Sequence, residues 1–418
     1  MKKSAVSQLL IFFALAYFAQ GIGQYSGLIF QPLTYFLKEV LHMNASQITT
    51  YLSVLIIPWA IKPIYGLISD CLPLFGLRRK AYLLLMSLIS ACAFLWLSGV
   101  TAISAIICAL FITAVGTAFS DVLVDAVMVE RGQETGMTRH FQGQQWLWFN
   151  IAGVVTSLAG GLLCQYLPPA SALHMAALIA MLAPLSVMVT TWLFVKEEKT
   201  PASVAQLKAT AKGLGNAIRS PALWTATAFM VFWKLHPGFG MPLYYHLSDH
   251  LQFSQALIGQ LNAVHSFGHI LGALIFSHLL ADRMSTVNLI KLAISLSVVA
   301  TLAYLAMNSP LTAFVLYMFT GAIAQIASLA IYTMAAEACP KQAEAFTFAL
   351  LMSFCNLAGQ GSQIIGSQLY DNVFQHQLAP VIVISAICAA ACFLFVPLIA
   401  KVSTSPTEKP TEESTETV

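Results

Sequence analysis

Apolar residues fill this chain in long, nearly unbroken runs, and polar residues gather in short stretches between them. The runs fall at about 8–37, 45–69, 81–99, 102–129, 140–166 and 172–195, then at 222–246, 254–280, 287–307, 310–336, 344–369 and 378–400. Each is close to the ~20 residues that a helix needs to cross the hydrocarbon core. None has the 10-residue alternation of a membrane barrel strand, about that length being the barrel signature. The pattern predicts an all-α membrane protein with twelve transmembrane helices. It divides the chain into a six-helix bundle at 1–195, a cytoplasmic linker at 196–221, a second six-helix bundle at 222–401 and a tail at 402–418. The tail is rich in Ser, Thr, Pro and Glu, a composition that predicts disorder. In the linker, Leu207, Ala211, Leu214 and Ile218 recur at helical spacing, with Lys208, Lys212 and Arg219 around the turn. A short helix on the membrane face and a solvated linker both fit that pattern.

Composition removes whole classes of function. Of 418 residues, 58% are hydrophobic and 9% charged, against about 25% charged in soluble domains. A water-soluble enzyme is excluded, and no catalytic group and no cofactor is expected. Most of the eight cysteines sit inside apolar runs, where they behave as small hydrophobes, and none has metal-ligand spacing, so no metal is expected. Lys2 and Lys3 precede the first run as in a secretory signal, but the run continues to about Leu37 and reads as an uncleaved first helix. The net charge of +3 points to no nucleic acid; the expected partners are the lipid bilayer and a small-molecule substrate, with the chain a monomer.

Charge position carries more than charge total. Arg78, Arg79, Lys80, Arg131, Lys196 and Lys199 fall on the side of the N-terminus, while Lys38 alone falls in an opposite loop. By the positive-inside rule both termini are cytoplasmic, in a bacterial inner membrane. The two halves also match: a shift of 210 places Pro32 on Pro242, Leu33 on Leu243, Tyr35 on Tyr245, Leu37 on Leu247 and Glu39 on Asp249. Because six spans separate the copies, the repeat is parallel, about an axis along the membrane normal.

The densest local signal joins spans 2 and 3. Residues 61–82 supply Gly66, Asp70, Gly76, Arg78, Arg79 and Lys80. Gly66 and Asp70 share a helix face, so the glycine is expected to allow close helix approach while the carboxylate meets a base or a helix end. Glu130 and Arg131 at the end of span 4 are expected to join this gating latch. The same cluster also fixes topology.

The run KPIYGLISDCLPLFGLRRKAYL (62–83) closely resembles the folate–biopterin transporter family of the major facilitator superfamily, with its lysine-proline, Tyr-Gly, acid, Phe-Gly and Arg-Arg pair. QPLTYFLKEVL (31–41), DVLVDAVMVERGQ (121–133) and, more loosely, PLYYHLSDHLQFSQALIG (242–259) agree. A more distant similarity to muropeptide and acetyl-coenzyme A permeases surrounds the span 4 acids. The resemblance implies the major facilitator fold, two bundles rocking about a central site, and a folate or pterin substrate. A major facilitator carrier of another solute (amino acid, muropeptide, siderophore or other metabolite) and a non-transporting membrane receptor or sensor stand as alternatives. No phosphate-binding Gly-x-x-x-x-Gly-Lys-Ser/Thr run is present, so an ion gradient, most simply of protons, is the expected energy source.

Four charges lie at membrane depth, where each costs about 2.5–3.5 kcal/mol on insertion scales and marks a functional candidate. Lys62 is within reach of Asp121 and Asp125, which are four residues apart on one face of span 4. A structural ion pair and a proton-exchanging one are both open readings. Lys234 stands deep in span 7 without an acid at helical spacing, and the 210 shift sets Gln24 opposite it. In the fold implied by the resemblance both positions face the cavity, so Lys234, Gln24, Gln20, Trp233 and Tyr25 form the expected substrate set. The span 8 pair His265 and His269 reads as structural, and Gly23-x-x-x-Gly27 and Gly268-x-x-x-Gly272 as close-packing seams.

Overall fold

The computed structural model describes residues 3–199, 221–281, 283–339 and 344–404, and among these the chain is helical throughout, with one isolated bridge, Leu74–Leu77, in a loop. The amphipathic stretch of the linker and the tail beyond 404 lie outside the described residues; 195–199 are not helical. Ten segments among the described residues are long and apolar enough to cross a membrane: 6–23, 45–71, 80–97, 103–132, 140–166, 169–194, 255–280, 286–306, 310–335 and 378–400. The other two expected spans are present as helix but differ in character. Residues 344–368 form one helix rich in Ser, Asn and Gln, and 221–250 form a broken one.

The helices are α1 (Lys3–Gly23), α2 (Phe30–Glu39), α3 (Ala45–Leu52), α4 (Ile57–Ala60), α5 (Lys62–Cys71), α6 (Lys80–Leu97), α7 (Ile103–Thr135), α8 (Thr138–Tyr166) and α9 (Pro169–Phe194). After the linker come α10 (Pro221–Lys234), α11 (Gly240–Tyr245), α12 (Gln255–Ile275), α13 (Thr286–Ala303), α14 (Pro310–Ala338), α15 (Glu344–Gln368), α16 (Leu378–Ala391) and α17 (Val396–Thr404). Successive spans alternate in direction. One end of the molecule, the basic end, thus carries the 72–79 loop and Arg131; the far end carries 40–44, 251–254 and 374–377.

The first span is not the continuous helix that hydropathy predicts. It stops at Gly23 and resumes at Phe30. Between them the chain folds back on the end of α1: Leu28 N–H donates to the Ile22 carbonyl at 3.2 Å and Gly27 N–H to that of Gln24 at 2.8 Å. Only glycine fits at 27, since a Cβ there would lie 2.3 Å from the Gly21 carbonyl oxygen. Span 7 breaks in the same register. It stops at Lys234 and resumes at Gly240, positions that the 210 shift places on 24 and 30. Pro237 explains this second break, because it lacks an N–H and bars the preceding residue from the helical region. Here a neighbour satisfies the freed groups: Gly238 N–H donates to the Ser362 carbonyl of α15 at 2.9 Å and Gly240 N–H to Gln363 Oε1 at 3.3 Å.

Without a hydrophobic force between helices in lipid, close packing of small residues must hold spans together. Gly161 of α8 and Gly259 of α12 meet backbone to backbone: a Cβ on Gly259 would sit 2.7 Å from Gly161 Cα. Gly268 and Gly272 of α12 press likewise on Met318 and Ala322 of α14. The other two glycine expectations need correction. Gly23 and Gly66 leave room for a Cβ at ordinary contact distances (3.6 and 3.7 Å), so neither is demanded by helix approach.

The buried clusters divide unevenly along the membrane normal. At the far end one cluster mixes both halves of the chain, with Leu33, Phe36 and Ile48 packed in the same core as Tyr244, Ile258 and Tyr370. At the basic end there are two separate cores. One is drawn from residues 9–195 and includes Phe12, Phe13 and Phe141; the other is drawn from 223–399 and includes Phe229, Ile290 and Met334.

Candidate functional site

Three helices of the first half converge on a buried charge cluster. Span 2 restarts at Lys62 after a turn at Ile61, with Pro63 tolerated in the first turn because no N–H is needed there. This sets the ammonium over the ring of Trp59, 4.4 Å from its centroid, and against Asp121 Oδ2 as an ion pair. Of the two acids in reach, Lys62 takes Asp121, which is 6% exposed. Asp125, one turn further along α7, accepts a hydrogen bond of 2.5 Å from the Tyr17 hydroxyl of α1. Tyr17 is buried, and no sequence spacing singled it out; its only signal was a hydroxyl inside the first apolar run. The result is two carboxylates, one ammonium and one phenol, joining spans 1, 2 and 4.

Lys234 occupies a different place. As the last residue of α10 it lies on a cavity of about 50 Å³ between spans 7, 10 and 11, shared with Trp233, Ser328, Tyr332, Cys355 and Asn356. Among the described residues no acid forms an ion pair with it. Gln20 lies on a separate cavity in the first half, and Gln24 and Tyr25 lie in the break of the first span. The five residues of the expected substrate set are thus split: Lys234 and Trp233 come together, while Gln20 shares a wall with Asp121. His236, in the break beyond Lys234, is fixed by its ring Nδ1 to Ser385 Oγ (3.0 Å) and by the Ser362 hydroxyl, which donates to its carbonyl.

At the basic end the latch residues assemble within the first half. Arg79 is buried and bonds Asp70 Oδ1 at 2.6 Å, Glu130 Oε1 at 3.1 Å and Ser69 Oγ at 2.6 Å. Arg131 pairs with Glu134 at 2.8 Å and donates to the Lys196 carbonyl at 2.7 Å. Lys80 donates to the Trp192 carbonyl at 3.1 Å and lies over that indole. Arg78 enters through its backbone. Its N–H and those of Arg79 and Lys80 all donate to the carboxylate of Glu197, at 2.8–3.1 Å. Glu197 therefore caps the N-terminus of α6, where an acid meets both free N–H groups and the positive end of the helix dipole. Sequence reading missed it, because in a Lys-Glu-Glu-Lys run it looks like part of a solvated linker.

The far end was also missed. There the two halves are bonded to each other. Asp371, in the turn that ends α15, accepts the Ser46 N–H at the start of α3 at 2.6 Å, with His376 3.5 Å away. Lys38 pairs with Asp249 at 2.7 Å. Gln31 Nε2 donates to the Gln255 carbonyl at 2.8 Å, Thr49 and Ser367 share a hydroxyl contact of 2.9 Å, and the Tyr245 hydroxyl donates to the Met43 carbonyl.

Comparison with known proteins agrees with this architecture. The BT1 family model matches residues 20–417. A folate-biopterin transporter of Synechocystis sp. (strain ATCC 27184 / PCC 6803 / Kazusa) is 29% identical, over 84% of this chain and 73% of the relative. Probable folate-biopterin transporter 4 of Arabidopsis thaliana is 25% identical over 93% and 95%. Among solved structures, the POT family transporter PepTSo matches at a TM-score of 0.73 and 12% identity, covering 94% of this chain and 97% of the other. A point mutant of the nucleoside transporter NupG matches at 0.71 and 15%, covering 94% and 99%. At those identities the likeness is one of fold, that of major facilitator transporters. The chain belongs to the BT1 family, the folate–biopterin transporters, and is a multi-pass membrane transporter rather than an enzyme.

Proposed function

We propose that this protein moves a folate, a pterin or a related organic anion across the cell membrane by alternating access, coupled to protons. In this reading twelve spans form two six-helix bundles. The broken 221–250 segment is the seventh span and 344–373 the eleventh, and the basic end, with both termini, is cytoplasmic. The substrate class rests on the named relatives. Coupling rests on one observation: at membrane depth the first half holds two carboxylates but one ammonium. In a low dielectric the surplus negative charge calls for a compensating proton, and a carboxylate close to another is the group that takes it. Asp125, held by the Tyr17 hydroxyl rather than by a base, carries the proton when Lys62 holds Asp121. Lys234, an ammonium at a small polar cavity of the second half, anchors a carboxylate of the substrate.

Uptake of radiolabelled folate into proteoliposomes tests this. With an inward proton gradient the wild type should accumulate substrate, and Asp121→Asn and Asp125→Asn should lose accumulation while retaining substrate exchange. Hydrogen bonds to a charged group are worth about 1.5–3 kcal/mol, so Lys234→Met should weaken an anionic substrate roughly 10- to 100-fold and leave a neutral pterin unchanged. Gradient-driven accumulation by the Asp121→Asn/Asp125→Asn double variant would sink the coupling assignment. Equal loss of anionic and neutral ligands in Lys234→Met would reduce that residue to helix packing.

A further inference from the structure

A second cavity lies beside Asp121. It measures about 40 Å³ and is bounded by four helices of the first half: α1, α6, α7 and α9. Ala16, Ala19, Gln20 and Gly23 line it from one face of α1, two turns of helix or roughly 10 Å. It thus runs from the level of Asp121 to the point where the first span breaks. Its walls carry Gln20, Ser87, Ser90, Thr117 and Ser120, and Asp121 is the one charged residue among them.

Two of these hydroxyls are anomalous. Ser87 and Ser90 are 2% and 3% exposed, yet neither Oγ has a hydrogen-bond partner among the described residues. A buried helical serine or threonine ordinarily turns back on the carbonyl of the preceding turn. Thr113, Ser186 and Thr190 nearby all do so. Ser90 instead points across at Gly116, where an added Cβ would lie 2.0 Å from its Oγ. Leaving two buried hydroxyls unbonded is costly in a protein interior and more so at membrane depth. A polar cavity is filled by water when it offers about 10–15 Å³ per molecule and two to four partners. This one has both, with room for about three waters.

We propose that this cavity is a water-filled chamber that delivers the proton to Asp121, held by the Ser87 and Ser90 hydroxyls. The proposal rests on the proton-coupled reading above. A proton relayed along the waters adds to a carboxylate oxygen of Asp121. An O–H bond forms there, the donor water is left neutral, and Lys62 is freed to turn to Asp125, which gives up its own proton, so that the cluster again holds one proton. The other titratable groups of the cluster, Lys62 on α5, Tyr17 on α1 and Asp125 on α7, line Asp121's surroundings and not the chamber.

The test compares wild type, Ser87→Val/Ser90→Val, which dries the chamber, and Ser87→Thr/Ser90→Thr, which keeps both hydroxyls. Buried water is read directly by X-ray hydroxyl-radical labelling at Pro184 and Val187, on the chamber's α9 wall. Coupling is read by proton-driven accumulation against folate counterflow, which needs no net proton movement. The wild type should label, and the valine variant should lose labelling and accumulate about tenfold more slowly. Its counterflow should stay within twofold of wild type, and the threonine variant should restore accumulation. An unlabelled wild type, or a valine variant with equal loss of accumulation and counterflow, overturns the chamber. A labelled wild type whose accumulation ignores the proton gradient overturns the coupling reading and this proposal with it. Accumulation that follows a sodium gradient, and is lost with the valines, assigns the chamber to that cation instead of water.

Discussion

The two ends of the molecule are fastened in opposite ways. At the far end the bonds run between halves: Asp371 to Ser46, Asp249 to Lys38, Gln255 to Gln31 and Ser367 to Thr49, over a core that both halves share. At the basic end they run within the first half, from Arg79 to Asp70 and Glu130 and from Glu197 to the start of α6. Beneath them lie two cores, one in each half. The far end is thus bonded across the two halves of the chain, and the basic end within one of them. The far-end fastenings are individual hydrogen bonds and ion pairs, most of them between buried side chains such as Thr49, Ser367, Gln31 and Asp371. In the alternating access proposed above, those of the basic end keep the first half together as a unit.

This contrast can be broken from either side. The largest effect should come from Gly259→Val, because its Cβ would lie 2.6 Å from the Ser157 carbonyl oxygen at the seam between the halves. Forcing those backbones apart costs about 1–3 kcal/mol, enough to shift the population towards far-end opening by about 5- to 150-fold. Spin labels at Leu41 and His250, exposed residues of opposite halves at the far end, should report a longer distance.

Asp371→Asn should act in the same direction with a smaller shift, about fivefold. The amide oxygen still accepts the Ser46 N–H, but the charge that strengthens the bond is gone. Glu197→Gln should differ from both, lowering stability without shifting the opening equilibrium. Losing an acid at a helix start costs about 0.5–2 kcal/mol, which lowers the thermal midpoint by a few degrees. The Leu41–His250 distance should not change. A far-end distance that lengthens in Glu197→Gln would mean the two ends are not independent in the way described.

Much of this architecture was legible in the chain. Span positions follow from apolar runs, and Lys62, Asp121, Asp125 and Arg79 announce themselves as charges where charge is expensive. The break of the first span was hidden, because its turn depends on Gly27 meeting the end of its own helix, whereas that of span 7 was marked by Pro237, which hydropathy alone passes over. The far-end fastenings were hidden for another reason. Asp371 and Ser46 are 325 residues apart, and each alone reads as an ordinary loop residue. Glu197 was masked by equal charges beside it, and only its three backbone donors give it a role. The serines of the Asp121 chamber carry no signal in sequence, since their distinction is a bond that they do not make.

Alternating access requires that the two ends open in turn. Double electron–electron resonance on protein in nanodiscs, with labels at Leu41/His250 and at Leu72/Arg283 in a cysteine-depleted background, measures both ends in one preparation. Acidification and added folate should lengthen one distance distribution as the other shortens. Two distances that stay fixed, or that widen together, while the same preparation accumulates folate would contradict alternating access by these two bundles.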